Sequence, residues 1–112
     1  MSRKADIGEL EQLVLLAALR LGDQAYAPEV ARLLEERADR ELSRGTLYAA
    51  LDRLETRGLL EWALEPPTED RGGSRRRRYR VTPAGVDALA ASRRVLLGLW
   101  AGVEHLLPGE GV

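Results

Sequence analysis

A mainly α-helical domain carrying one small β-hairpin is the fold class that three features of this sequence predict. Apolar residues recur at helical spacing in four separate stretches, a Pro- and Gly-rich segment near the middle separates two strand-length runs, and Thr82-Pro83 opens a long apolar stretch after the second run. With 112 residues the chain makes one domain with room for a modest core. Phe is absent, and Trp62, Trp100, Tyr26, Tyr48 and Tyr79 are the only aromatic residues. The core must therefore be built mostly of Leu, Val and Ala, a composition that suits packed helices.

The first helix is expected over Glu9 to Leu21. Leu10, Leu13, Val14, Ala17 and Leu21 share one face, while Leu15, Leu16 and Leu19 cover much of the rest. A domain of this size seldom buries a helix on both sides, so a partner subunit is the expected cover. Gly22 and Asp23 end this helix, and Pro28, suited to a first turn, starts a second that runs to about Ala38 with Val30, Leu33 and Leu34 inward. Asp39 to Glu41 form a short connection, with Leu42 docking into the core. Ser43 then caps a third helix, Arg44 to Arg57, in which Leu47, Leu51 and Leu54 repeat until Gly58 offers a stop. Two helices joined by so short a connection make a helix-turn-helix pair.

Leu59 to Leu64 is a strand candidate, Glu65 to Ser74 a turn-rich loop holding Pro66, Pro67, Gly72 and Gly73, and Arg75 to Val81 the returning strand. This hairpin, a wing beside the third helix, carries Arg71, Arg75, Arg76, Arg77, Arg78 and Arg80. Thr82 and Pro83 cap and open the last helix. Along it Val86, Leu89, Leu96, Trp100, Val103 and Leu107 recur at steps of three and four once Arg93 is counted, a coiled-coil-like seam widened by Leu97, Leu99 and Leu106. The expected organisation is a winged helix-turn-helix region over residues 1–81 and a C-terminal dimerisation helix over 82–112, in one compact unit. Its homodimer interface is expected to draw on Leu10, Leu13, Val14, Ala17, Leu89, Leu96, Trp100, Val103 and Leu107. Folding of the last helix back onto its own domain is the alternative.

Charge points to an anion. The net charge is −1, yet Met1 to Leu42 carry 6 basic and 9 acidic residues, Ser43 to Arg94 carry 11 and 7, and Val95 to Val112 carry none and 2. A basic middle between acidic ends is what a localised nucleic-acid face leaves in a sequence. With Leu47, Leu51 and Leu54 inward, Gly45, Ala49, Asp52 and Thr56 face outward, flanked by Thr46 and Arg53 on one side and Tyr48 on the other. Small residues at Gly45 and Ala49 let the helix sit deep in a major groove, with Ser43 at its start. Arg44 reaches a guanine edge or a phosphate, and Thr46 and Tyr48 donate to phosphates or base edges, unless Tyr48 merely half-buries its ring. Asp52 repels phosphate and takes no DNA role. In the returning strand, alternation sends Arg75, Arg77, Tyr79 and Val81 to one face and Arg76, Arg78 and Arg80 to the other. The guanidiniums seek phosphate, or else form a solvated edge that discourages aggregation.

Gly8-Glu9-Leu10-Glu11 with Leu13 to Leu16, Ser43-Arg44-Gly45-Thr46-Leu47-Tyr48 with Leu51 and Leu54, Gly58-Leu59-Leu60, Arg71-Gly72-Gly73, and Arg78-Tyr79-Arg80-Val81-Thr82-Pro83-Ala84-Gly85 together resemble a PadR-type transcriptional regulator. The resemblance covers about Glu9 to Leu107. It implies a dimeric winged helix-turn-helix repressor of the small subgroup with a single C-terminal helix, which pairs against helix one of the partner, and in some members a small-molecule effector that sets DNA affinity. The Glu65–Asp70 loop, with its two prolines, departs from the family pattern and bears on the reach of the wing.

Enzyme chemistry finds no support. His105 stands in the leucine-rich last helix without a Cys or second His to share a metal, the serines have no base near them in sequence, and no phosphate-cradling glycine loop is present. No cofactor or metal is expected. The absence of Cys, of a signal peptide and of a membrane-length apolar run fits the cytoplasm. Two rivals come from other classes: a winged-helix module that binds a protein through its apolar helices, and a dimer in which Trp100 stacks on a flat ligand.

Overall fold

A computed structural model describes residues 7–66 and 75–109. The elements are α1 (Glu9–Leu21), α2 (Ala27–Ala38), α3 (Arg44–Thr56), β1 (Leu60–Glu65), β2 (Arg76–Val81) and α4 (Pro83–Trp100), with 3₁₀ turns at Gly22–Gln24 and Glu104–Leu106. The expected mainly helical fold with one hairpin is found, and element ends differ from the expected ones by a residue or so except in α4.

Local chemistry explains these limits. Gly8 precedes α1, where its N–H donates to Glu11 Oε1 at 3.0 Å. Asp39 closes α2 in the left-handed region at φ 54°. Ser43 Oγ accepts from Thr46 N at 3.1 Å and donates to Thr46 Oγ1 at 2.9 Å, a cap that stabilises a helix start by about 1 kcal/mol. At the other end of α3, Gly58 N donates to Glu55 O and Leu59 N to Leu54 O. This pairing requires the left-handed φ of 75° that Gly58 supplies.

β1 and β2 pair antiparallel with Leu60 opposite Val81, Trp62 opposite Tyr79 and Glu65 opposite Arg76. The loop that joins them, with Pro67 to Ser74, lies outside the described residues. Tyr79 N also donates to Ala25 O at 2.8 Å, pinning the wing to the α1–α2 connection. Thr82 locks α4 to the turn after α3: its Oγ1 accepts from Gly85 N at 3.1 Å and donates to Gly58 O at 2.7 Å, while its N–H donates to Leu59 O.

The core gathers Val14 and Leu15 of α1, Val30 of α2, Leu51 and Leu54 of α3 and Leu60 of β1, all fully enclosed. Leu42 docks against it, as its place before the Ser43 cap implied. Glu11, largely covered, ties α1 to the end of α3 by accepting from Arg53 and Arg57, each at 3.4 Å. Arg40 pairs with Glu9 across the same side.

Two sequence expectations are corrected. Val14, Ala17 and Leu89 are buried within their own chain and offer no surface to a partner. The apolar residues α1 leaves outside are Leu16 and Leu19, about half exposed. Periodicity could not tell these sets apart, because the helix is apolar nearly all round. The last helix also stops earlier than its apolar spacing implied. At Ala101 the backbone leaves the helical region (ψ 124°), and Gly102 follows at φ 89°. Val103 and Leu107 therefore fall outside the helical stripe, and His105 sits in a 3₁₀ turn rather than in the helix.

Every residue of α4 from Arg93 to Trp100 is exposed. The helix projects from the body, and the radius of gyration of 16.1 Å exceeds the roughly 13 Å of a compact domain this long.

Candidate nucleic-acid interface

α3 is covered on one side by Leu47, Ala50, Leu51 and Leu54 and bare on the other, where Gly45, Thr46, Ala49, Asp52 and Arg53 are exposed. The burial follows directly from the leucine spacing. No atom lies within 4 Å of where a Cβ would stand on Gly45, so packing does not demand glycine there. Ser43 is taken up by its cap. Arg53 leans back toward Glu11 and away from the N-terminal turns.

Arg44 and Tyr48 sit on the flank nearest the wing. The Arg44 guanidinium lies 5.6 Å from the centroid of the Tyr48 ring, and both residues, with Asp52, line a cleft whose opposite wall is Arg75, Arg76 and Arg77. The recognition-helix flank and the returning strand thus share one cleft.

The two faces of the hairpin treat their arginines differently. Arg76, Arg78 and Arg80, which alternation placed together, meet carboxylates of the same chain. Arg76 pairs with Glu29 at 3.0 Å and lies over the Tyr26 ring at 3.6 Å. Arg78 pairs with Glu65 at 3.2 Å and reaches Asp23 at 3.7 Å, and Arg80 pairs with Glu61 directly across the ladder. Tyr26 completes the cluster by donating to Glu65 Oε1 at 2.6 Å. That bond, helped by burial and the Glu65 charge, raises the Tyr26 hydroxyl above its usual range. Exposed ion pairs add little stability singly, but they supply charge where phosphate would otherwise be sought.

Arg75 and Arg77 have no carboxylate within ion-pair distance among the described residues. The Arg77 guanidinium stacks over Trp62 at 4.2 Å, close to the favourable geometry for a cation on an indole. Beneath it Tyr79 is buried, and its hydroxyl finds no hydrogen-bond partner among the described residues. Burial pushes that hydroxyl up, opposed by the Arg77 guanidinium, which is near enough to act on it without closing a well-formed bond. Arg71 lies outside the described residues.

Sequence reasoning missed the acidic partners Asp23, Glu29, Glu61 and Glu65 and the two ring platforms. A signal for part of this existed. Glu61 and Glu65 share one parity on β1, and antiparallel pairing sets that parity opposite Arg76, Arg78 and Arg80.

A helix-turn-helix whose second helix is followed by a hairpin that returns beside it defines the winged-helix class. This chain belongs to the PadR-like family of transcriptional regulators, whose family model matches residues 15–91. It is a DNA-binding transcription regulator by that membership. Among solved structures it is similar to a PadR-like transcription factor from Bacteroides fragilis, at 29% identity over 88% of this chain and 89% of that one, with TM-score 0.69. It is also similar to a PadR family regulator from Clostridium difficile (27% identity, 88% and 94% covered, TM-score 0.63) and to a PadR-like regulator from Bacillus cereus (25%, 90% and 93%, 0.66). No curated protein matches the chain. Among the described residues no helix is long and apolar enough to cross a membrane, and no group of three His, Asp or Glu could hold a metal ion.

Proposed function

We propose that this chain is a sequence-specific repressor that binds a palindromic operator as a homodimer. The observation that carries the reading is the shared surface: the bare, small-residue face of α3 stands beside a cleft lined by Arg44, Arg75, Arg76 and Arg77, of which only Arg76 is in an ion pair among the described residues. Gly45, Thr46 and Ala49 face the major groove and read base edges, while Arg44, Arg75 and Arg77 hold the backbone. Repression by occupancy needs no surface beyond these and a dimer contact. The exposed residues of α1 and α4 supply that contact, and two linked recognition helices then match a palindrome.

Selection of bound duplexes from a random pool tests the reading, with enrichment of one inverted repeat as the expected result. Retention of all sequences alike would leave a winged-helix module without specific DNA binding. Ala49→Leu is expected to weaken binding to the selected duplex by roughly tenfold or more while changing a scrambled duplex little, since a bulky side chain holds the helix off the base edges. Because Ala49 is exposed, the melting temperature should stay near that of the wild type. Paired titrations at one salt concentration read both values.

The wing makes a separate prediction. Arg75→Ala with Arg77→Ala should weaken specific and random DNA alike and flatten the salt dependence by roughly 0.9 per lost phosphate contact. Arg78→Ala with Arg80→Ala should leave that slope near the wild-type value, because their charge is already met by Glu65, Asp23 and Glu61. Equal slopes for the two double variants would show that the internal ion pairs do not shield the wing.

A further inference from the structure

The exposed face of α3 carries one cation that the fold turns away from it. Thr46, Ala49 and Arg53 stand three and four residues apart and form a single exposed stripe. Helical side chains lean toward the N-terminus of their own helix, so an untethered Arg53 would lie over the turn that carries Ala49. Instead its Nε meets Glu11 Oε2 at 3.4 Å, on the α1 side. Arg57 Nη1 meets the other oxygen of the same carboxylate, also at 3.4 Å. Glu11 is fixed independently of both arginines: its Oε1 accepts from Gly8 N at 3.0 Å at the start of α1, and its side chain is only 13% exposed. The Arg53 side chain remains 54% exposed. What holds it is therefore the carboxylate and not burial.

We infer that Glu11 sets the selectivity of DNA binding by holding Arg53 off the phosphate backbone, an inference that rests on the reading above in which α3 faces the groove. The two kinds of complex use different contacts. A selected duplex is engaged through base edges, which fix the register of α3. On a random duplex no register is preferred, and the protein settles where its cations meet the most phosphates. Each additional available guanidinium therefore favours random DNA first. An arginine free to move on the reading stripe itself would add affinity without sequence information. Glu11 withholds it. In this role Glu11 is a positioning residue that acts through Arg53 and touches no DNA.

The full chain is titrated by anisotropy onto the duplex selected from the random pool and onto a scrambled duplex of equal length, over a range of sodium chloride. Wild type is compared with Glu11→Gln, Arg53→Ala and the two combined. Gln keeps an oxygen for the Gly8 N–H, so the start of α1 stays capped while the charge that holds Arg53 is gone. Glu11→Gln should tighten scrambled-duplex binding roughly threefold to fivefold, the worth of an exposed ion pair, and steepen its salt dependence by about 0.9, one added phosphate contact. The selected duplex should gain less, so the preference narrows. Both changes should vanish beside Arg53→Ala. Arg53→Ala alone should leave the scrambled-duplex slope at the wild-type value, a measurement that does not depend on how well Glu11→Gln folds. An unchanged slope in Glu11→Gln or an equal gain on both duplexes overturns the inference. A gain that persists beside Arg53→Ala does so too, because the lost charge then acts through the overall field, and a shallower slope for Arg53→Ala alone would put Arg53 on phosphate already. In each of these cases a duplex is still selected, and the DNA reading stands. Retention of all duplexes alike by the wild type removes that reading, and the selectivity role falls with it.

Discussion

Gly85→Ala is expected to lower the melting temperature by about 10 °C or more, the reverse of what helix propensity alone would give. Gly85 lies in the first turn of α4, where alanine ordinarily gains up to about 1 kcal/mol over glycine. Here a Cβ would stand inside contact distance of the Leu59 carbonyl oxygen and 2.7 Å from Val81 Cγ1. The Leu59 oxygen is backbone, already held by Thr82 N, and cannot swing aside as a long side chain would. Relief requires α4 to move off the α3–β1 turn, which breaks the bonds of Thr82 to Gly58 and Leu59, and overpacking of this kind costs about 3 kcal/mol. Gly45→Ala is the control, since its Cβ would meet nothing within 4 Å and its φ is not positive. It should match or slightly exceed the wild type in thermal unfolding followed by circular dichroism. A Gly85→Ala protein that melts at or above the wild-type temperature would show that α4 is not locked against this turn.

The closeness at Gly85 was not legible in the sequence, where the residue belonged only to a Thr-Pro-Ala-Gly helix start. Legibility followed the range of the interaction. Caps and turns are local, so Ser43, Gly58, Asp39 and Thr82 mark the ends of their helices within a residue, and the alternation of the hairpin faces could be read from parity alone. Contacts between distant segments were hidden. Which leucines of α1 are covered depends on where α2, α3 and the sheet pack, and an all-round apolar helix carries no record of that. The sorting of Arg75 to Arg80 into those that meet a carboxylate among the described residues and those that do not needed the register of β1 and the position of Glu29 on α2. The end of α4 was misread for the opposite reason: the apolar spacing continues through Val103 and Leu107, but the backbone has already left the helix at Ala101, with Gly102 following at positive φ.

Leu96→Glu combined with Leu99→Glu is expected to abolish the homodimer and reduce operator affinity by roughly a hundredfold or more. Both side chains are about half exposed or more in a single chain, at 47% and 73%, so neither substitution buries a charge within the protomer. Together with Leu97 and Trp100 they form an apolar surface on a helix segment that the other described residues leave exposed. Leu16 and Leu19 on α1 are left bare as well. In the proposed homodimer a second copy would remove this apolar area from water, and burying each large side chain would stabilise the pairing by about 1.5 to 3 kcal/mol. Four glutamates placed in one symmetric contact reverse that gain and add mutual repulsion. Light scattering should return about twice the 12.4 kDa subunit mass for the wild type and the single mass, or unfolded chain, for the double variant. DNA binding should fall with the dimer because a palindrome offers two half-sites about one duplex turn apart, and engaging one helps hold the other only while the subunits are joined. A wild-type protein that stays monomeric and folded at high concentration would remove the dimer, and with it the requirement for a palindromic operator.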